Sequence, residues 1–179
     1  MDRSLRRRWT WAVVLRRADA ADASRLCALN SLPNVGYTAD PNLPLDAPRS
    51  AGGPGSFSDL SDVAATFFGI GGEFLVAEHD GYIVGMGGYK PTAPDSVEIL
   101  RVRVHPAMRR RGVGRVLIRG LEDHARVAGF RRAHLDTADN QPEALAFYQG
   151  LGYTEVGRET QPDWNWTLVF FEAALQGRG

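Results

Sequence analysis

The dipeptide Asp80-Gly81 stands between two apolar runs, and it limits the fold more than any other feature of the chain. A two-residue Asp-Gly connection supplies positive φ at both positions, which matches the twist of two antiparallel strands joined tightly. Glu73–His79 and residues 82–89 are therefore predicted to form a hairpin. After a turn containing Pro91 and Pro94, residues 97–104 alternate: Val97 and Ile99 mark one face, and Glu98, Arg101 and Arg103 differ from it. His105-Pro106 closes that strand.

Helix and strand then alternate. Residues 112–128 read as an amphipathic helix with Val113, Val116, Leu117, Leu121 and Ala128 on one face. Arg115, Arg119, Glu122, Asp123 and Arg126 face water, and Gly129 stops the helix. Residues 132–137 form a strand, and residues 142–149 a short helix with Pro142 in its first turn. Residues 154–158 and 166–172 are the last strands. Upstream, residues 9–15 read as the first strand and 58–68 as a short helix. Asp19 or Asp22 is the N-cap of a helix carrying Ala23, Leu26, Cys27 and Asn30 on one face. An antiparallel meander followed by β-α-β predicts an α/β (α+β) fold, a mixed sheet of about six to seven strands with helices on both faces.

The chain has 179 residues, 44% hydrophobic and 23% charged, enough for one domain with a proper core. That domain is expected over 9–175, behind a flexible basic tail at 1–8. An irregular loop at about 33–55 is marked by Pro33, Pro41, Pro44, Pro48, Pro54 and Gly52-Gly53. The tail and the apolar stretch after it superficially resemble a secretory leader. Arg16-Arg17 closes the stretch at once, which favours a strand behind a basic tail. Lys+Arg and Asp+Glu are 21 each, so no basic surface for nucleic acid or membrane is expected. One cysteine, Cys27, excludes a disulfide scaffold and fits a reducing, cytoplasmic compartment. The four histidines have no metal spacing, and no Gly-x-Ser-x-Gly elbow surrounds Ser56 or Ser58, so neither a metal site nor serine hydrolysis is expected.

The run Arg109-Arg110-Arg111-Gly112-Val113-Gly114 lies between a strand end and a helix start. The first N–H groups of a helix have no partner within it and suit phosphate oxygens. Glycine at 112 and 114 lets a bulky pyrophosphate come close, and arginines add charge-assisted hydrogen bonds. The turn has no Gly-Lys-Ser/Thr, and Leu117 stands where a dinucleotide fingerprint needs a third glycine. On these residues alone, a phosphate cradle and a plain strand–helix turn with solvated arginines both fit.

The turn resembles the Gln/Arg-x-x-Gly-x-Gly/Ala signature of the GNAT family of N-acetyltransferases. Leu100, Val102, Val104 and Pro106 resemble that family's fourth strand. A second block, Asn140, Ala144, Phe147-Tyr148 and Gly152-Tyr153, resembles the family's Asn-x-x-x-Ala-x-x-Phe-Tyr-x-x-x-Gly-Phe/Tyr segment. The resemblance implies a GNAT acyl-CoA acyltransferase fold. Acetyl-CoA would serve as cosubstrate in a V between the strands at 97–104 and 132–137. Its pyrophosphate would rest on residues 110–115 (Arg110, Arg111, Gly112, Val113, Gly114, Arg115) beside Arg109. Its pantetheine would pair with the main chain at Val102 and Val104 and meet Asn140. Periodicity alone makes Tyr148 a core aromatic; the resemblance makes it the acid for the departing thiolate. Glu98 is either a solvated strand residue or the base that takes the amine's proton, directly or through water. The N–H near Val102 would polarise the acyl carbonyl. Tyr37, Asp40, Asp163 and Trp164 are candidate acceptor contacts, although either aspartate also suits a turn. The implied activity is direct acetyl transfer to a primary amine of a small or amino-acid-like molecule. An acyl-CoA-binding sensor and a protein N-terminal or lysine acetyltransferase are the alternatives, and a homodimer is a family-level expectation.

Overall fold

Asp80 and Gly81 both adopt positive φ, 50° and 79°, and the hairpin they join supplies the second and third strands of the sheet. The computed structural model describes residues 12–32, 40–48 and 57–175; the tail at 1–8 and Tyr37 lie outside these. The elements, in chain order, are β1 (Val14–Arg17), α1 (Ala23–Asn30), α2 (Ser58–Ser61), α3 (Val63–Thr66), β2 (Glu73–His79), β3 (Tyr82–Ala93) and β4 (Ser96–Val104). They continue with α4 (Val113–Val127), β5 (Arg132–Ala138), α5 (Pro142–Gly150), β6 (Thr154–Glu159) and β7 (Leu168–Ala174). The described strands form one seven-stranded mixed sheet in the order β1-β2-β3-β4-β5-β7-β6. All neighbours are antiparallel except β4 and β5.

Four local expectations change. The first strand includes Arg16 and Arg17, which an apolar pattern excludes. Arg16 bonds Glu78 at 2.9 Å and both oxygens of Asp22 at 2.7 and 2.9 Å, and Arg17 bonds Glu73 at 2.7 Å. The helix expected over 58–68 breaks at Asp62, whose backbone turns extended and whose side chain caps Ala65 N–H at 3.0 Å. Val116 and Ala128 are exposed, and Ile118 and Ala125 take core positions instead. Glu122 is buried, held by Arg119 at 2.7 Å and by the Tyr153 hydroxyl at 3.0 Å.

The two faces of the sheet carry separate cores. On one, Val113, Leu117, Ile118 and Leu121 of α4 pack with Val97, Ile99 and Leu135, and the cluster continues through Tyr148, Tyr153 and Phe171. On the other, Leu26 and Leu29 of α1 pack with Leu60, Val63, Phe67, Phe74 and Met86. Among the described residues, no helix is long and apolar enough to cross a membrane.

The sheet is open at one place. β4 and β5 pair only at Ser96↔Arg132, Val97↔Ala133 and Glu98↔His134. Both strands run on, to Val104 and Ala138, without pairing each other. β5 stays bound to β7 along its whole length, and β4 to β3, so the seam opens as a fork between two supported strands.

Candidate functional site

A cavity of about 800 Å³ lies at the mouth of the fork, between the unpaired end of β4 and α5. Its walls are Val102, Arg103 and Val104 of β4, the turn from Met108 to Arg115, and Asn140 to Tyr148 at the start of α5. Such a volume suits an elongated small molecule. Every residue expected at the CoA site except Arg111 lines this cavity.

One end is a helix N-terminus. Gly112 caps α4 with φ 85°, a left-handed conformation that glycine adopts without strain, and a Cβ there would meet nothing within 4 Å. The first bond back into the helix is Val116 N–H to Gly112 carbonyl at 3.0 Å. The N–H groups of Val113, Gly114 and Arg115 therefore lack intrahelical acceptors at the positive end of a 15-residue helix. Gly114 has a further reason to be glycine. A Cβ there would come within 3.1 Å of the Phe147 ring, so its absence lets α5 close over the cavity.

The middle is a β-bulge. Leu100 faces Gly88 and Arg103 faces Met86, so Arg101 and Val102 together oppose Gly87. Arg101 has φ 59°. A left-handed conformation costs a non-glycine residue about 1–2 kcal/mol. Two hydrogen bonds from Arg101 to Asp59, at 2.8 and 3.0 Å, offset this. Bonds to charged groups contribute about 1.5–3 kcal/mol each before solvent screening, and these side chains are only 31% and 19% exposed. The bulge keeps Val102 and Val104 on the α4 face with Val97 and Ile99, while Leu100 packs into the opposite core. It was written in the sequence as a change of phase, apolar at 97 and 99 and then at 102 and 104. Its anchor, Asp59, lies 42 residues away and left no local signal.

The carbonyls expected to receive pantetheine are already occupied. Arg103 Nη1 donates to Val102 carbonyl at 2.9 Å, and Arg109 Nε to Val104 carbonyl at 3.4 Å. In the alternation of residues 97–104, Arg103 marks only a polar strand face.

The far end holds Tyr148. It is 9% exposed, and its ring packs edge-on against Phe147 and Tyr153. Among the described residues, none accepts a hydrogen bond from its hydroxyl. Burial pushes the phenol up to about 12, with Arg103 opposing the rise and Asp136 adding to it. Tyr148 is therefore protonated at neutral pH and can donate.

Glu98 does not line the cavity. It sits in the last paired row of the fork, opposite Lys90 on one side and His134 on the other. Asp136, two residues beyond that row on β5, was not anticipated. Its side chain is exposed, yet the desolvation of its carboxyl by neighbouring atoms raises it, with His134 acting the other way.

The expected acceptor contacts are not gathered here. Asp40 is exposed and accepts Asn42 N–H at 2.8 Å, a local turn. Trp164 stacks on Trp166 at 4.2 Å in the β6–β7 connection, with Asp163 exposed beside it. None of the three lines the cavity, and Tyr37 is outside the described residues. His105 is a buried post: its Nδ1 accepts Ala107 N–H, leaving Nε2–H to donate to Ala47 carbonyl at 3.2 Å. Among the described residues, no three His, Cys, Asp or Glu side chains gather as a metal site would require.

Residues 46–153 match the family model described as Acetyltransferase (GNAT) family. Human N-acetyltransferase 8 is 31% identical over 107 residues, 56% of this chain and 47% of that protein. The uncharacterized N-acetyltransferase YjgM of Escherichia coli K12 is 30% identical over 101 residues, 55% of this chain and 60% of that one. The chain thus spans about half the length of the curated relatives it matches. Among solved structures, yncA of Salmonella typhimurium, described as a putative acetyltransferase with its cofactor acetyl-CoA, aligns with TM-score 0.71 at 19% identity, covering 93% of this chain and 96% of that one. An aminoglycoside 6'-N-acetyltransferase complexed with coenzyme A aligns with TM-score 0.68 at 16% identity, covering 93% and 99%. At these identities the structural likeness speaks for the fold.

Proposed function

Because this chain belongs to the acetyltransferase (GNAT) family, we propose that it transfers the acetyl group of acetyl-CoA directly to the primary amine of a small-molecule or amino-acid-like acceptor. The observation that carries this reading is the continuous cavity along the fork, with unpaired helix N–H groups at one end and a protonated, buried Tyr148 at the other.

The residues divide the work. The N–H groups of Val113, Gly114 and Arg115, with the neighbouring arginines, hold the pyrophosphate. Val102 and Val104 present the open edge of β4 to the pantetheine, which adds to it as a strand would. Arg103 and Arg109 release those carbonyls as it enters. The bulge directs a backbone N–H near Val102 at the acyl carbonyl, where negative charge develops as the amine attacks. Glu98 takes the amine's proton through a water, since it stands one step back from the cavity. Asp136 is the second carboxylate at the fork. When the tetrahedral carbon collapses, the C–S bond breaks and Tyr148 gives its proton to the departing thiolate. Holding both reactants in one fork supplies much of the acceleration.

The test is release of free CoA thiol from acetyl-CoA in the presence of pooled amines: amino acids, polyamines, aminoglycosides, arylamines and short peptides. An amine-dependent signal is expected, and splitting the pool names the acceptor class. Tight acetyl-CoA binding with no release for any pool would overturn transfer in favour of a sensor. The base is assigned by pH profiles: Glu98→Gln should abolish the acid limb of kcat/KM, and its survival, with loss in Asp136→Asn, moves the role to Asp136.

A further inference from the structure

We propose that Arg103 is a carboxylate anchor at the acyl-transfer end of the cavity. The inference rests on the acetyltransferase reading and adds a substrate chemistry to it: one of the two substrates carries a carboxylate near the reacting carbon.

Arg103 differs from the arginines that the fold uses as ion-pair partners. Arg16, Arg17, Arg101, Arg119, Arg126, Arg132 and Arg158 each pair with a carboxylate of the chain. Arg103 makes no ion pair among the described residues. One hydrogen bond, from Nη1 to Val102 carbonyl, holds it, and its Nε is fully buried with no acceptor. The cations that act on it, Arg101 and Arg109, are of its own sign, and Arg101 is already paired with Asp59. Burial, the largest influence, works against its charged form. A guanidinium whose Nε is buried without an acceptor and which has no counterion is unfavourable unless an anion completes it.

Its location names where that anion must be. The guanidinium lies on Val102 carbonyl, at the bulge, and close enough to Tyr148 to influence its phenol. The phosphate end of the cavity is elsewhere, at Gly112 to Arg115. Arg103 is thus placed for an anion beside the thioester. A carboxylate suits a guanidinium, and the Nη that the Val102 carbonyl leaves free is the donor that meets it, since Nε is sealed from the cavity.

The carboxylate has two sources. It belongs either to the acceptor, as in an α-amino acid, or to the acyl group of a dicarboxylic acyl-CoA. The experiment separates them. Initial rates are measured with acetyl-CoA and each L-amino acid against its amide, and with succinyl-CoA against acetyl-CoA on a fixed amine. The wild-type protein should favour the carboxylate in one arm by tenfold or more in kcat/KM. Arg103→Gln should bring that ratio toward one, and Arg103→Lys should restore part of it. CoA affinity, read by calorimetry, should change far less than the ratio does. A wild-type protein indifferent to the carboxylate in both arms would overturn the proposal without needing any variant. So would an Arg103→Gln protein whose loss is equal for every pair and matched by its loss of CoA affinity, which would make Arg103 a phosphate contact. If no pair turns over, the acetyltransferase reading fails separately. Titration of L-amino acids and of succinate into the CoA-saturated protein then decides: Arg103-dependent binding upholds the anchor, and no binding refutes it.

Discussion

Tyr148 and Tyr153 are five positions apart, and their rings are 5.9 Å apart in one aromatic cluster. Both are buried, at 9% and 3% exposure, and burial raises both phenols. They differ in what their hydroxyls meet. The Tyr153 hydroxyl donates to Glu122, whose carboxylate is also held by Arg119, and this closed network ties α4 to the segment after α5. The Tyr148 hydroxyl has no acceptor among the described residues, and the residue lines the cavity. A buried polar group with a partner stabilises the fold, whereas one left open to a cavity is available for chemistry. Neither burial nor residue type distinguishes them; the partner does.

Four measurements test this division between site and scaffold. The largest effect is expected from Tyr148→Phe, which should lower kcat about 100-fold, the lower range of proton-transfer contributions. Its melting temperature and CoA affinity should stay near wild type, and unchanged turnover would erase the distinction. Next, Gly112→Asp should weaken CoA binding about tenfold relative to Gly112→Asn, as one charge pair in partial burial is worth about 1.4 kcal/mol or more. Both variants carry the same strain at φ 85°, so calorimetry showing equal affinities removes the pyrophosphate from this turn. Third, Tyr153→Phe should cost about 1–3 kcal/mol by removing a partner from buried Glu122, a fall of about 2–4 °C per kcal/mol in Tm. Turnover per folded molecule should be retained; its loss would make Tyr153 part of the site.

The smallest effect concerns Asp136. Its carboxyl is raised in the folded protein, so folding favours the protonated form. The stability this contributes is complete below the unfolded value and is lost as pH rises through the folded one. Asp136→Asn should therefore raise Tm slightly at pH 7, and the gain should vanish in acid below the ordinary carboxylate range. A gain that persists in acid would mean packing rather than charge is responsible.

Patterns of short range were readable directly. Asp80-Gly81 dictated a hairpin because few residues tolerate positive φ in sequence. The alternation of 97–104 placed a strand, and the glycines at 112 and 114 marked the turn, although Gly114 answers to Phe147 as well. The charged residues misjudged by pattern were those stabilised from a distance. Arg16 and Arg17 belong to a strand because Glu73, Glu78 and Asp22 receive them, and Glu122 enters the core because Tyr153 and Arg119 meet it there. Periodicity judges such residues by polarity alone.

By itself, then, the amino-acid order determined the elements, their succession, the helix end with unpaired N–H groups and the motif that carries Tyr148. Each depends on dihedral preferences and spacings that act over a few residues. Tertiary structure alone decided that β4 and β5 part after Glu98, that Asp59 holds the bulge open, and that Arg103 is left without a counterion. These depend on which side chains, tens of residues apart, share one buried space, and a hydrogen-bond partner is a property of that space.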